Sequence, residues 1–189
     1  MPKKNILQTK PSARAFASDP MAEAERRIAE ARRENVIELD LAGLGLEEVP
    51  IELGELQQLQ ALNLQGNQLR EVPAALGELR QLRELNIANN RLQELPIELG
   101  ELQQLQTLYL YNNQLHELPV RLGALQQLHT LWLDSNQLRG VPIVLFSLKQ
   151  LQGLGLRDNQ LMGVPDTLGQ LKQLRWLALS TPRRKSSEG

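Results

Sequence analysis

The hydrophobic positions of this chain repeat with a period of 23 residues. In the copy from Leu105 to Gln127, apolar residues occupy positions 1, 4, 6 and 11 and then 14, 18 and 21, with mostly polar residues between them. The other copies lie in register at multiples of 23 residues and begin at Val36, Leu59, Leu82, Leu128, Leu151 and, as a partial copy, Leu174. A fixed period of this length is typical of a solenoid, in which each unit buries its apolar residues against its neighbours.

Each copy, numbered here as repeats one to seven, is predicted to contain a strand and then a short helical segment. Positions 4 and 6 are apolar and flank a more variable position 5, as in a strand with one buried face. Position 15 is proline in all six full copies. Proline disfavours α geometry in the residue before it, so it ends the descending turn and starts the next segment. Because a helical segment is bulkier than a strand, we expect a curved stack with parallel strands on its concave side.

Position 9 is predicted to carry a structural ladder of asparagines. A buried polar side chain needs hydrogen-bond partners, and asparagine can both accept from and donate to backbone groups. Leaving one such site unsatisfied costs about 1–3 kcal/mol. Leu44 takes this position in repeat one, where no preceding repeat requires the ladder; the asparagines of the next five copies are Asn67, Asn90, Asn113, Asn136 and Asn159.

Residues 19–35 are predicted to form a helix that caps the first repeat. Asp19 followed by Pro20 is typical of a helix N-cap and first turn. The helix is expected to run from Pro20 to about Arg33 with one narrow apolar stripe, formed by Met21, Ala24, Ile28 and Ala31. A helix of this kind would cover the leucine edge that the first unit of a stack leaves exposed.

The region from Val36 to Leu179 resembles the leucine-rich repeat superfamily. The segments NRLQELPIELGELQQ and NQLHELPVRLGALQQ carry the LxxLPxxLGxL form, which is similar to the 23-residue intracellular type of bacterial proteins. The resemblance implies an α/β fold: a right-handed solenoid, or horseshoe, with a parallel concave β-sheet of seven strands and short helical convex segments. It also implies a binding module for proteins, without naming a ligand.

Charge divides the chain into an acidic centre and two basic ends. The net charge is −1, with +4 in residues 1–18 and +2 in residues 181–189, so residues 19–180 carry about −7. Residues 1–18 are predicted to be a disordered basic tail, residues 36–180 the repeat domain, and residues 181–189 a second basic tail. An acidic centre argues against nucleic-acid binding, which requires clustered Lys and Arg.

Composition excludes several other classes of site. The chain has no cysteine, which excludes disulfides and thiolate metal sites. It also has no apolar run long enough to span a membrane, and no apolar stretch of a secretory signal follows its basic start. We therefore predict a cytoplasmic protein without membrane contact. The alternative is a bacterial effector that is exported by its N-terminal segment.

The predicted concave face contains all four Tyr and Trp residues of the chain. Side chains alternate across a strand, so positions 3, 5 and 7 are exposed where positions 4 and 6 are buried. Exposed aromatic residues together with arginine are typical of protein-binding hot spots. The predicted partner-binding residues at these positions are Tyr109, Tyr111, Trp132, Asp134, Arg157 and Trp176.

Adjacent strands lie about 4.8 Å apart, so Tyr109, Tyr111 and Trp132 are expected to form one contiguous patch. Gly153 and Gly155 are expected to leave a shallow floor between Trp132 and Trp176. Asp134 is expected to orient Arg157 by pairing with it. The alternative is that the aromatic rings only pack on each other, because aromatic residues favour strands in any case.

The sequence does not indicate a catalytic site. The only histidines are His116 and His129. His129 and Ser135 stand six residues apart in the sequence, about 20 Å along a strand, which excludes a hydrogen-bonded catalytic set between them. The concave carboxylates lack a histidine neighbour and suggest no metal site; they are Glu38, Asp40 and Glu84. We predict no catalytic activity and no cofactor.

The predicted function is non-catalytic protein recognition by the aromatic residues of repeats four to seven. One alternative is a regulatory or scaffold segment of a multidomain signalling protein, and another is the exported effector. Val144 and Phe146 make the fifth convex segment more apolar than the others. They either fill the core or mark a site of weak self-association, for which the C-terminal edge of the stack is a second candidate.

Overall fold

The computed structural model describes residues 19–180, which form one helix, seven strands and six 3-10 helices. Helix α1 is Pro20–Glu34. The strands are β1 Glu38–Asp40, β2 Ala61–Asn63, β3 Glu84–Asn86, β4 Thr107–Tyr109, β5 Thr130–Trp132, β6 Gly153–Leu156 and β7 Trp176–Leu179. The 3-10 helices are η1 Ile51–Glu55, η2 Ala74–Glu78, η3 Ile97–Glu101, η4 Val120–Ala124, η5 Ile143–Ser147 and η6 Asp166–Gln170. The predicted basic tails lie outside the described residues.

The seven strands form one parallel sheet in sequence order, from β1 to β7. Every pair is in the register that the period predicts, so a residue at one repeat position pairs with the residue at the same position in the next repeat. Each of the strands β1 to β6 is followed by a 3-10 helix on the other side of the stack. The predicted solenoid with a parallel sheet and short helical segments is confirmed.

The core is one continuous cluster of leucines that runs along the stack. In repeat four, Leu105, Leu108, Leu110 and Leu115 contribute from the strand and descending turn, and all are fully buried or nearly so. Leu122 completes the layer from the convex side. Burial of one such side chain contributes about 1.5–3 kcal/mol, so stacking of repeats is the main source of stability in this fold.

The asparagine ladder joins each repeat to the preceding one, as predicted. The Oδ1 atom of Asn90 accepts a hydrogen bond from the backbone N–H of Leu69 at 3.0 Å. Its Nδ2 atom donates to the carbonyl of Leu64 in the preceding repeat at 3.0 Å and to that of Ile87 in its own repeat at 3.1 Å. The other four asparagines repeat this arrangement. Leu44 has no preceding repeat to bind.

The glycine that follows each buried convex leucine permits close packing of the 3-10 helices. A Cβ atom added at Gly54 would lie 2.6 Å from the carbonyl oxygen of Ala75 in the next repeat. Repeat five has Phe146 at this position, and η5 and η6 pack less closely than the preceding pairs. Phe146 and Val144 are partly buried against the core. Their proposed role in self-association stays a prediction.

Helix α1 packs against the first repeat. The Asp19 carboxylate accepts from the N–H of Met21 at 3.0 Å, and the helix ends at Asn35 in the left-handed conformation. Ala24, Ile28 and Ala31 are buried and belong to the same core cluster as the leucines of repeat one. Within residues 19–180, no helix is both long and apolar enough to cross a membrane.

Candidate functional site

The sheet places position 5 of the repeats in one ladder across the concave face. Tyr109 pairs in register with Trp132, and Trp132 pairs with Gly155. On the N-terminal side the ladder continues through Asn86 to Asp40 and is polar throughout. The concave face therefore has a polar half in repeats one to three and an aromatic half beginning at repeat four.

Trp132 and Trp176, here called the tryptophan pair, contact each other across the glycine-rich strand β6. Their ring centroids are 4.5 Å apart and the ring planes are inclined by 46°. A Cβ atom at Gly155 would lie 2.0 Å from Oδ2 of Asp134 and 2.9 Å from Cε3 of Trp132, so glycine leaves room for both of these side chains. The predicted open floor between the tryptophans is therefore absent, since the indoles themselves cover it. Trp176 is still 40% exposed.

Asp134 and Arg157 are bonded differently from the prediction. The Asp134 carboxylate accepts from the backbone N–H of Arg157 at 2.8 Å. No ion pair involves the Arg157 guanidinium within residues 19–180. The carboxylate thus fixes the backbone at the end of β6 and leaves the exposed guanidinium available for another carboxylate. Charge-assisted bonds from arginine to carboxylate are among the stronger polar contacts in proteins.

Tyr111 is held in a hydrogen-bond network on the polar side of the face. Its hydroxyl accepts from Nε2 of Gln65 at 3.0 Å, and Oε1 of Gln65 accepts from Nδ2 of Asn86 at 3.1 Å. These bonds tie Tyr111 to repeats two and three. Tyr111 was predicted to form a patch with Tyr109 and Trp132. The structure shows that it is also bonded to the polar half of the face, which the sequence did not indicate. In this bond the hydroxyl only accepts, so Tyr111 can offer a ligand both its ring and its O–H donor.

Tyr109 lies half-buried between the tryptophan pair and the polar half. Burial raises the pKa of its phenol above the usual value, and the negative charge of Glu84 adds to the increase, followed by Tyr111. The phenol therefore stays protonated at neutral pH and retains a hydrogen-bond donor. Gln65 and Glu84 also lie near the site and were not among the predicted partner-binding residues, although the sequence places them at concave positions 7 and 3. Their effect on the tyrosines depends on how far side chains reach between repeats, which repeat position alone does not state.

The described residues contain no group of three or more His, Asp or Glu side chains arranged to hold a metal ion. A surface pocket lies between α1 and repeat one, lined by residues such as Ile28 and Pro50, on a different part of the molecule from the tryptophan pair. The arrangement on the concave face is a surface of aromatic rings bordered by the guanidinium of Arg157, which forms no ion pair within residues 19–180. Such a surface is suited to binding.

Comparison with known families gives two overlapping matches. The family described as "Leucine-rich repeat region" matches residues 74–188, and the family described as "Leucine rich repeat" matches residues 34–92. No curated protein sequence matches the chain.

Several solved structures are similar to this chain. A leucine-rich repeat protein of Leptospira interrogans is 33% identical, with a TM-score of 0.70, over 82% of this chain and 47% of that chain. The ectodomain of the receptor kinase GASSHO1/SCHENGEN3 from Arabidopsis thaliana, in complex with Casparian strip integrity factor 2, is 34% identical, with a TM-score of 0.67, over 78% of this chain and 19% of that chain. YopM from Yersinia enterocolitica is 29% identical, with a TM-score of 0.70, over 89% of this chain and 34% of that chain.

The chain thus spans less than half the length of each of these three structures. They come from bacteria and from a plant, so the narrower 23-residue bacterial type stays a prediction. The repeat pattern, the parallel sheet and the family matches agree with one another. The chain belongs to the leucine-rich repeat family.

Proposed function

We propose that this protein is a non-catalytic module whose protein partner binds the aromatic half of the concave face. Leucine-rich repeat proteins are in general protein-interaction modules, and the matched plant receptor ectodomain was solved in complex with a factor bound to it. These findings support a protein or peptide partner in general. The choice of surface rests on the side chains of this chain.

The observation that carries the proposal is the tryptophan pair, in which Trp176 is exposed and Trp132 is partly exposed. Large aromatic residues bury a large apolar area and are enriched among the residues that dominate the binding energy of protein interfaces. Trp176 is 40% exposed although it contacts Trp132. A partner that covers both rings would remove a continuous apolar area from water, which is the main favourable contribution to association.

Two neighbouring residues would give this surface its specificity. Arg157 presents a guanidinium without an ion-pair partner among residues 19–180. Tyr109 presents a phenol at the border with the polar half. A partner segment with an apolar or aromatic side chain beside a carboxylate would match this combination. Asp134 has a supporting role, because its carboxylate is bonded to the backbone of β6.

Affinity capture from a native lysate tests the proposal with three immobilised proteins. They are the wild-type chain, a Trp132→Ala/Trp176→Ala variant, and a control with substitutions on the opposite face, Val120→Asp/Ile143→Asp. We expect a protein that is retained by the wild type and the control and lost by the tryptophan variant. Circular dichroism and thermal unfolding establish first that each variant is folded.

A captured protein is then purified and its affinity for each chain is measured, including Arg157→Glu. We expect the tryptophan variant to bind about tenfold or more weakly, since the loss of two aromatic contacts removes more than one hot-spot contribution. Arg157→Glu is expected to weaken binding and to lower its dependence on salt. Equal affinity for the wild type and the tryptophan variant would contradict the proposed site.

A further inference from the structure

Exposed aliphatic side chains follow the convex side of the stack at position 16, the first residue of each 3-10 helix. Ile97 is 49% exposed, Val120 is 81% exposed and Ile143 is 83% exposed. We call these three residues the aliphatic row. Ile51, at the same position in repeat one, is 68% exposed, and Ala74 continues the row in repeat two.

The fold does not require an aliphatic residue at this position. The core leucines of each 3-10 helix lie two residues later and are buried, as Leu99 and Leu122 are. Repeat two has Ala74 and repeat six has Asp166 at position 16, and both begin a 3-10 helix of the same length. A β-branched aliphatic residue in water at this position therefore contributes little to stability.

The stacking of the repeats brings these side chains together. The 3-10 helices of successive repeats are in direct contact, because a Cβ atom at Gly77 would lie 2.9 Å from Cβ of Glu98 in the next repeat. Ile97, Val120 and Ile143 begin three successive 3-10 helices in this packed series. Single exposed apolar residues are common on protein surfaces, but here three of them occupy the same position in successive repeats and are aligned along the stack.

The aliphatic row is bordered by uncompensated negative charge. Glu94 and Glu117 are exposed three residues before Ile97 and Val120, and Glu98 follows Ile97 directly. No ion pair involves any of these three carboxylates within residues 19–180. Arg121, which directly follows Val120, is bonded to Glu101 at 3.2 Å. The exposed Arg139 precedes Ile143 by four residues, so the carboxylates along the row outnumber its cations. A partner on this strip should therefore be positively charged.

We propose that the aliphatic row is a second docking surface and that it binds a basic amphipathic helix of another protein. An amphipathic helix presents an apolar side chain about every 5.4 Å along one face. Stacked repeats are about 4.8 Å apart at the strands and somewhat farther apart on the convex side, since the stack curves. The two periods match closely enough for one helix to lie along the row. Its Lys and Arg side chains would face Glu94, Glu98 and Glu117.

A labelled model peptide tests this proposal by fluorescence anisotropy. The probe is a helix of leucines at i, i+3, i+4 and i+7 with lysine elsewhere, and the controls are a leucine–glutamate helix and a scrambled leucine–lysine peptide. The test variant is Val120→Asp/Ile143→Asp, which places in repeats four and five the residue that repeat six has as Asp166. The comparison variant is Trp132→Ala/Trp176→Ala on the concave face.

We expect the wild type and the tryptophan variant to bind the leucine–lysine helix equally. The Val120→Asp/Ile143→Asp variant is expected to bind about tenfold or more weakly. Its two added carboxylates would by charge alone tighten binding of a cationic peptide, so a loss isolates the aliphatic contact. The leucine–glutamate helix and the scrambled peptide are expected to bind more weakly than the probe. A Glu94→Gln/Glu117→Gln variant is expected to show a smaller loss and a lower salt dependence.

Several results would overturn the proposal. They are absence of binding by the wild type, equal binding by the Val120→Asp/Ile143→Asp variant, or equal binding of the scrambled peptide. If sedimentation shows a wild-type dimer that this variant abolishes, the row covers a second copy and the assignment to a basic helix is wrong. A Val120→Ala/Ile143→Ala variant keeps the test valid if the aspartates impair folding, because Ala74 occupies this position in repeat two.

Discussion

The two ends of the repeat stack have the same kind of leucine layer but different surroundings. At the N-terminal end, α1 covers the layer with Ile28, which is 3% exposed, and Arg27 Nη1 donates to the carbonyl of Asp40 at 3.0 Å. At the C-terminal end, within residues 19–180, Leu177 on β7 is 38% exposed. Its equivalent on β6, Leu154, is fully buried. Burial of a repeat residue is thus determined by the neighbouring unit.

Identical residues in successive repeats show the same effect. Val141 and Val164 both stand at position 14, yet Val141 is 8% exposed and Val164 is 47% exposed. Asn136 is buried and Asn159 only half-buried, although both make the same set of backbone hydrogen bonds. Within residues 19–180, the repeats are therefore more fully buried in the centre and at the α1 end than toward β7, and in this fold burial against neighbours supplies most of the energy.

The largest expected difference between the ends concerns core truncation. Ile28→Ala should reduce the free energy of unfolding by about 2–4 kcal/mol, because it leaves a cavity beneath the capping helix. Leu177→Ala should cost less than about 1.5 kcal/mol, since part of that side chain is already in water. Urea unfolding of the two variants measures both values. Equal losses would mean that Leu177 is covered in solution.

Removal of single ladder asparagines should give an intermediate difference. Asn67→Ala leaves the backbone groups of Gly45, Leu46, Leu41 and Leu64 without the side-chain partner they now have, and they are shielded from water. We expect a loss of about 1–3 kcal/mol. Asn159→Ala should cost clearly less, because water can replace the lost partner at a half-buried position. Thermal unfolding provides the comparison, and a larger effect at Asn159 would contradict it.

The repeat period alone predicted most of the fold. A spacing of 23 residues with no insertion fixes the strand register, and the asparagine, proline and capping signals are local properties of the chain. The register of Tyr109 beside Trp132 followed from the same period. These features depend on the position of a residue within its repeat, and that position can be read directly from the sequence.

The details of the site depended on information that repeat position does not contain. Position 3 for Trp176 and position 5 for Trp132 specify the face on which each ring lies, but not that the rings meet above Gly155. Gly153 and Gly155 leave the concave side of β6 without side chains, which lets the indoles incline toward each other. Likewise, Arg157 offers Asp134 two kinds of donor, its backbone N–H and its guanidinium. Repeat position does not say which of them is bonded, and in the structure it is the backbone N–H.

The smallest expected effect is a pH dependence of the stability of the N-terminal end, which α1 covers. Hydrogen bonds from Arg26 and then Arg27 lower the pKa of Glu23 in α1 from 4.5 to about 2. A carboxylate with a lowered folded-state pKa contributes stability above its unfolded pKa, and this contribution is lost as the pH falls toward 2. Because these pairs lie at the surface, Glu23→Gln should cost only about 0.2–1 kcal/mol at neutral pH.

The difference between wild type and Glu23→Gln should therefore be constant above about pH 5 and should decrease toward zero near pH 2. Glu25→Gln is the matched control, since Glu25 lies on the same helix and forms no ion pair within residues 19–180. Urea unfolding at several pH values measures the difference. If it does not change with pH, the Arg26 and Arg27 contacts do not stabilise α1 in solution, and the cap is held by Ala24, Ile28 and Ala31 alone.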